Sequence, residues 1–284
     1  MGHQLFYLSG ESYLPGITLV WFPIALALPN NRESAMARAI LYDSTLCIGC
    51  RECEKACAAK WGLPYNDKIG AEEKLSAHKL TTIRVFGDHF SRKLCMHCNE
   101  PTCASVCPVG AFTKTALGPV VYDAEKCMGC RYCMEACPFQ VPTYEWDKAI
   151  APRVRKCDFC FERQSAGKVT ACTEACPVQA TINGERDALV AEARKRLAEK
   201  PKDYYQKIYG LEEAGGTSIL MLSAVPFEQI GLNVNLPHSP LPPLTMNVLN
   251  LIPDIVSAGG VLLGGIFWLT HRKRAVARAE GKKH

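Results

Sequence analysis

Cys127-Met128-Gly129-Cys130-Arg131-Tyr132-Cys133-Met134-Glu135-Ala136-Cys137-Pro138 sets three cysteines three positions apart, a fourth four positions on, and a proline behind it. Cys47-Ile48-Gly49-Cys50-Arg51-Glu52-Cys53-Glu54-Lys55-Ala56-Cys57 repeats the spacing, with Ala58 where the proline would be. Two looser versions keep the opening pair and the close: Cys95, Cys98, Cys103 and Cys107 before Pro108, and Cys157, Cys160, Cys172 and Cys176 before Pro177. These four groups account for all 16 cysteines of the 284-residue chain, and none is left over.

The spacing has a chemical reason. Three thiolates so placed let one loop wrap a corner of an iron–sulphur cube and hold three irons, while the fourth cysteine starts a helix that carries it to another cube. Groups therefore work in pairs, each pair building two cubes, and four groups supply the 16 thiolates of four [4Fe–4S] clusters. A structural zinc scaffold on a membrane is the alternative, but zinc takes four ligands per ion and has no use for the third cysteine of each run. Disulfide pairing fits poorly, since three cysteines within seven residues cannot readily bridge one another. His97, inside the second group, reads as a neighbour of a cluster rather than a ligand.

Composition narrows the function further. Lys plus Arg is 33 against 28 Asp plus Glu, a net charge of +5 that is too mild for a nucleic-acid binder. Hydrophobic residues at 48% exclude wholesale disorder. No nucleophile–base pairing, phosphate-binding GxxxxGK[ST] loop or open metal site is evident. The chain reads as a conduit for single electrons rather than an enzyme by itself, with catalysis left to partner subunits. Arg51, Lys55, Lys126, Arg131, Arg155 and Lys156 lie beside cysteines in sequence and are candidates to offset cluster charge.

The expected fold class is α+β: tandem ferredoxin-like modules, each with two [4Fe–4S] clusters, then a C-terminal extended arm and a single transmembrane helix. Residues 1–40 are an N-terminal extension whose apolar run Ile17–Leu28 admits three readings: a degenerate export signal, a segment packing on a partner, or translation starting truly at Met36. Residues 41–180 form the four-cluster domain, with strand-like runs at Thr81–Val85 and Val120–Tyr122. Residues 181–210 read as a helix, and 211–245, rich in proline and free of Lys and Arg, as an arm lying on another surface. Residues 246–271 form the transmembrane helix, with Gly260 and Gly264 as a small-residue face. Residues 272–284 are a basic tail, and their Lys and Arg place it in the cytoplasm by the positive-inside rule. The cluster domain then faces the bacterial periplasm, and folded export on a partner's twin-Arg signal is the expected route.

Leu41-Tyr42-Asp43-Ser44-Thr45-Leu46-Cys47, Cys95-Met96-His97-Cys98, the run from Cys127 to Met134, and the later Gly215-Gly216-Thr217 and Val225-Pro226-Phe227-Glu228 resemble the HybA-type four-cluster subunit of periplasmic [NiFe] uptake hydrogenases. The beta subunit of membrane-bound formate dehydrogenase is similar. The resemblance spans residues 41 to about 275, and departs at the N-terminus, where such proteins carry a twin-Arg signal. It implies the ligand sets: Cys47, Cys50, Cys53 and Cys176; Cys57, Cys157, Cys160 and Cys172; Cys95, Cys98, Cys103 and Cys137; Cys107, Cys127, Cys130 and Cys133. The partners it implies are hydrogenase small and large subunits, or a formate dehydrogenase alpha subunit. It also implies an integral-membrane quinone-reactive subunit, of NrfD or cytochrome b type, and membrane lipid.

Overall fold

The computed structural model describes residues 37–281. Along the chain run β1 (Arg38–Asp43), α1 (Glu52–Trp61), β2 (Thr82–Phe86), β3 (His89–Lys93), α2 (Thr102–Ser105), β4 (Phe112–Lys114), β5 (Val120–Tyr122), α3 (Tyr132–Glu135), β6 (Thr143–Tyr144) and β7 (Val154–Arg155). Then come α4 (Phe161–Ser165), α5 (Ala171–Glu174), β8 (Thr181–Glu185), α6 (Arg186–Glu199), β9 (Ile219–Leu222) and α7 (Pro242–Ala279).

The frame is a three-stranded sheet that gathers distant parts of the chain. β1 is its centre, antiparallel to β8 and parallel to β9. A central strand covered on both faces reads as a continuous apolar run, and Ala39 to Tyr42 is one. Alternation divides its side chains. Ile40 and Tyr42, with Ile219 and Met221 of β9, face a core of Ile83, Leu94, Met96, Phe159, Tyr209 and Phe227. Ala39 and Leu41, with Leu220 and Leu222, face Leu189, Val190, Ala193 and Leu197 of α6. Each large aliphatic side chain so buried contributes about 1.5–3 kcal/mol. Small two-stranded pairings complete the α+β fold: β2–β3, β4–β5 and β6–β7.

The cysteine-rich region therefore begins at Arg38, not at 41, because β1 is needed for the sheet; the rest of the N-terminal reading, up to residue 36, lies outside the described residues. Two further expectations are corrected. Residues 181–210 are not one helix: 181–185 is β8, paired with β1, and only Arg186–Glu199 is helical. Residues 211–245 are not an arm over most of their length. The run Ile219-Leu220-Met221-Leu222 is a fully buried strand beside β1, and Phe227 and Ile230 also enter the core. An arm was expected because charge is sparse and proline frequent there, but scarce charge is equally the mark of a buried strand.

α7 is one 38-residue helix, about 57 Å long at 1.5 Å per residue. It continues through Arg272, Lys273, Arg274 and Arg278, which the sequence had assigned to a separate tail; Ala275, Ala277 and Ala279 favour helix there. It is the one helix among the described residues long and apolar enough to cross a membrane, and its apolar side chains are exposed.

Candidate metal centres

Each cysteine group folds as a tight loop that opens a helix. Gly49 and Arg51 in the first group have φ of 69° and 62°, and Gly129 and Arg131 at the same places in the third have 76° and 63°. The Cys-x-Gly-Cys-Arg-x-Cys pattern thus encodes one backbone path twice. A side chain at Gly49 would meet the Phe90 ring at 2.3 Å, so only glycine fits there. In the other two groups the left-handed positions fall on His97, and on Phe159 and Cys160.

The closing Cys-Pro pairs share a second device. The amides of Gly110, Gln140 and Gln179 donate to the carbonyls of Cys107, Cys137 and Cys176, at 3.2, 3.0 and 3.3 Å, and each of the three is left-handed. Proline stops α2, α3 and α5 at four residues apiece. Where Ala58 replaces it, α1 continues past Cys57 to Trp61 and ends at the left-handed Gly62.

Packing between these helices gathers the thiols, none of which is in a disulfide. One pocket is lined by Cys47, Cys50, Cys53 and Cys176 together with Tyr42 and Ile83. A second is lined by Cys57, Cys157, Cys160 and Cys172 beside Ile40 and Phe159. Burial raises the Cys98 and Cys133 thiols, and repulsion from nearby sulphurs adds to it, from Cys95, Cys103 and Cys137 at Cys98 and from Cys107, Cys127 and Cys130 at Cys133. Successive sets adjoin through Cys53 and Cys172, then Cys157 and Cys95, then Cys103 and Cys133. These pairs link the four sets in succession.

This environment fits iron–sulphur cubes. The donors are soft sulphurs, the walls are largely apolar, and backbone amides point at sulphur: Phe159 N to Cys157 Sγ at 3.3 Å, Ala171 N to Cys160 Sγ at 3.5 Å, Ala111 N to Cys107 Sγ at 3.2 Å. Among the described residues no three Cys, His, Asp or Glu side chains converge closely enough to hold a single ion, as a tetrahedral zinc site requires. Burial pushes the Cys53, Cys57 and Cys103 thiols up to about 12, so cationic iron is what would favour their thiolate forms.

Positive charge reaches the sulphurs from unexpected quarters. Of the six basic residues singled out by sequence position, five spend their charge elsewhere. Arg51 pairs with Glu54 at 3.0 Å, Lys55 with Glu52 and Asp67, Lys126 with Asp123, and Arg155 with Glu145 at 2.8 Å, while Arg131 stacks over Tyr144 and Trp146. Lys156 alone is buried at the site; it donates to the carbonyls of Val120 and Cys157 and favours the Cys103 thiolate.

Sequence reasoning missed Arg92 and Lys114. Arg92 is buried, donates to Thr81 Oγ1 at 3.1 Å and Thr181 Oγ1 at 2.8 Å, and hydrogen-bonds Cys172. Burial raises the Cys172 thiol, but Arg92 overcomes this and leaves it below its ordinary value. Lys114 donates to the His97 carbonyl at 3.1 Å and favours the Cys98 thiolate. Neither adjoins a cysteine in sequence; they arrive from β3 and β4. The available signal was the β2–β3 register, which sets Arg92 opposite Ile83.

Residues 86–186 match the 4Fe-4S dicluster domain family. A protein of Nitratidesulfovibrio vulgaris is 39% identical over 254 residues, covering 85% of this chain and 69% of the relative. The hydrogenase-2 operon protein HybA of Escherichia coli O157:H7 is 37% identical over 250 residues, covering 72% and 76%. The iron–sulphur subunit of the nitrate-inducible formate dehydrogenase of Escherichia coli K12 is 34% identical over 200 residues, covering 64% and 66%.

Proposed function

The chain belongs to the HybA-type family of ferredoxin-like iron–sulphur subunits, and on that premise we propose that it relays electrons through four [4Fe–4S] clusters between a periplasmic hydrogenase and a membrane quinone-reactive subunit. It is an electron-transfer subunit of oxidoreductase complexes and binds multiple [4Fe–4S] clusters; it is not the catalytic subunit. Groups one and four build one ferredoxin-like module and groups two and three the other. The antiparallel pairing of β1 with β8, and of β4 with β5, supports that division. The ligand sets are those that line the two pockets and those whose sulphurs act on Cys98 and Cys133.

The observation that carries the proposal is the linking of the four sulphur sets in succession, together with the exposure of the two ends. The position after the first cysteine is exposed in the terminal sets, 58% at Ile48 and 66% at Met128, but 4% exposed at Met96 in an inner one. Tyr132 and Trp146, the latter under the Arg131 guanidinium, are exposed as well. Each cluster supplies reversible one-electron transfer. The protein's part is to exclude water from the inner pair and to present the outer pair to partners.

α7 is the transmembrane helix, with the sulphur sets in the periplasm and the basic end in the cytoplasm, where its Arg and Lys are retained. The root of α7 is fastened close to group two. Ala214 N donates to Pro237 O at 2.7 Å, Pro240 lies against Gly215, and Asn99, next to Cys98, donates to Gly216 O at 3.0 Å. This supports the Cys127 end as the one nearer the membrane. A formate dehydrogenase alpha subunit is the second reading for the donor, favoured by the 34% identity to that enzyme's iron–sulphur subunit.

Membrane vesicles carrying the complex test the proposal. Hydrogen should reduce the clusters, seen as electron spin resonance signals, and a quinone analogue should reoxidise them. Reduction by formate and not by hydrogen would assign the other donor. Signals indifferent to both, or a chain that washes off the membrane in carbonate, would overturn it.

A further inference from the structure

We propose that the Nε2–H of His97 donates a hydrogen bond to a sulphur of one of the two inner [4Fe–4S] clusters, where the two modules meet, and raises that cluster's reduction potential. His97 is 1% exposed and stands between Cys95 and Cys98. Its ring stacks on Phe159, with centroids 4.8 Å apart and planes 18° apart, and Phe159 lies between Cys157 and Cys160 of the neighbouring set. The two rings therefore bridge the loops of the two inner sulphur sets, at the one step of the relay that crosses from module to module.

The hydrogen bonds fix the tautomer. Val120 N–H donates to His97 Nδ1 at 2.9 Å, so Nδ1 bears no proton and Nε2 does. A ring that accepts at Nδ1 and carries its one proton on Nε2 is neutral. Lys114 is fixed by the His97 carbonyl at 3.1 Å, and Lys156 by the carbonyls of Val120 and Cys157. Nε2 is nonetheless buried without a protein acceptor. A buried donor left unmade is costly, and the two loops that bracket this ring, 95–98 and 157–160, are the ones that carry cysteines of the inner sulphur sets. A donor to sulphur stabilises the reduced cluster, which carries one more negative charge.

The inference rests on the clusters of the proposed function, and two measurements on the holoprotein separate the two. Redox titration followed by electron spin resonance should find one centre shifted negative in His97→Phe, by about tenfold in its oxidised-to-reduced ratio, which is about 59 mV for one electron. Phenylalanine keeps the stack and loses the donor. His97→Gln, whose amide offers both an acceptor and a donor, should retain most of the wild-type potential. In wild-type protein labelled with ¹⁵N-histidine, the reduced spectrum should show a nitrogen hyperfine coupling, which decides the matter even if the variants fold poorly. Absence of that coupling, or equal shifts in both variants, would overturn the inference while leaving the clusters intact. Absence of clusters would overturn the proposed function instead.

Discussion

Replacing Arg92 by methionine removes one buried positive charge from the first two sulphur sets while roughly keeping the side chain's bulk. The guanidinium favours the thiolate forms of Cys53, Cys57 and Cys172, and it is Cys172 that it hydrogen-bonds. Taking a separation of about 6 Å to the cluster charge and an effective dielectric constant of about 20, the lost attraction is about 3 kcal/mol. With a tenfold ratio equal to 59 mV for one electron, the expected fall in midpoint potential is on the order of 100 mV. It should be largest at the cluster of Cys57, Cys157, Cys160 and Cys172, smaller at that of Cys47, and absent at the two clusters of the other module. The hydroxyls of Thr81 and Thr181 also lose their buried partner, adding a stability cost of about 2 kcal/mol. A spin-resonance redox titration of wild type and Arg92→Met reads the potentials centre by centre. A uniform shift of all four centres, or none, would refute the claim that this charge acts locally on two of them.

Gly49→Ala should cost the chain one cluster, reducing its iron from about sixteen to about twelve per molecule by assay, because the new methyl would meet the Phe90 ring at 2.3 Å in a left-handed backbone. Gly129→Ala should be milder, since its nearest neighbour is the Tyr144 hydroxyl at 3.0 Å. Asp43→Asn should lower the urea midpoint for cluster loss, at a cost of about 3 kcal/mol. The buried Asp43 carboxylate receives Arg196 at 3.0 Å and Tyr204 at 2.8 Å, tying β1 to α6 and to the loop beyond it. Stripping iron with a chelator under reducing conditions should abolish the near-ultraviolet dichroism, because the core around the clusters is too small to hold without them. A cooperative thermal transition in the stripped protein would contradict that.

The parts of the fold written in local spacing were legible in the sequence. Cys-x-Gly-Cys-Arg-x-Cys specifies a loop path, Cys-Pro a helix stop, and Val120-Val121-Tyr122 a strand. What escaped was set by distant partners. Ile219-Leu220-Met221-Leu222 has a place only once β1 lies beside it, and 181–185 is strand rather than helix because Ala39 to Tyr42 offers an edge. The same holds for the electrostatics. Basic residues next to cysteines in sequence were the natural candidates, yet Lys55 and Lys126 are paired with surface carboxylates and Arg51 and Arg155 with the buried Glu54 and Glu145, whereas Arg92 reaches Cys172 from a hairpin eighty residues earlier.

Native mass spectrometry of the anaerobically purified chain tests the central claim most directly. The expected species carries four [4Fe–4S] units and no zinc. A chain carrying zinc, or one whose iron falls well short of four cubes, would contradict it.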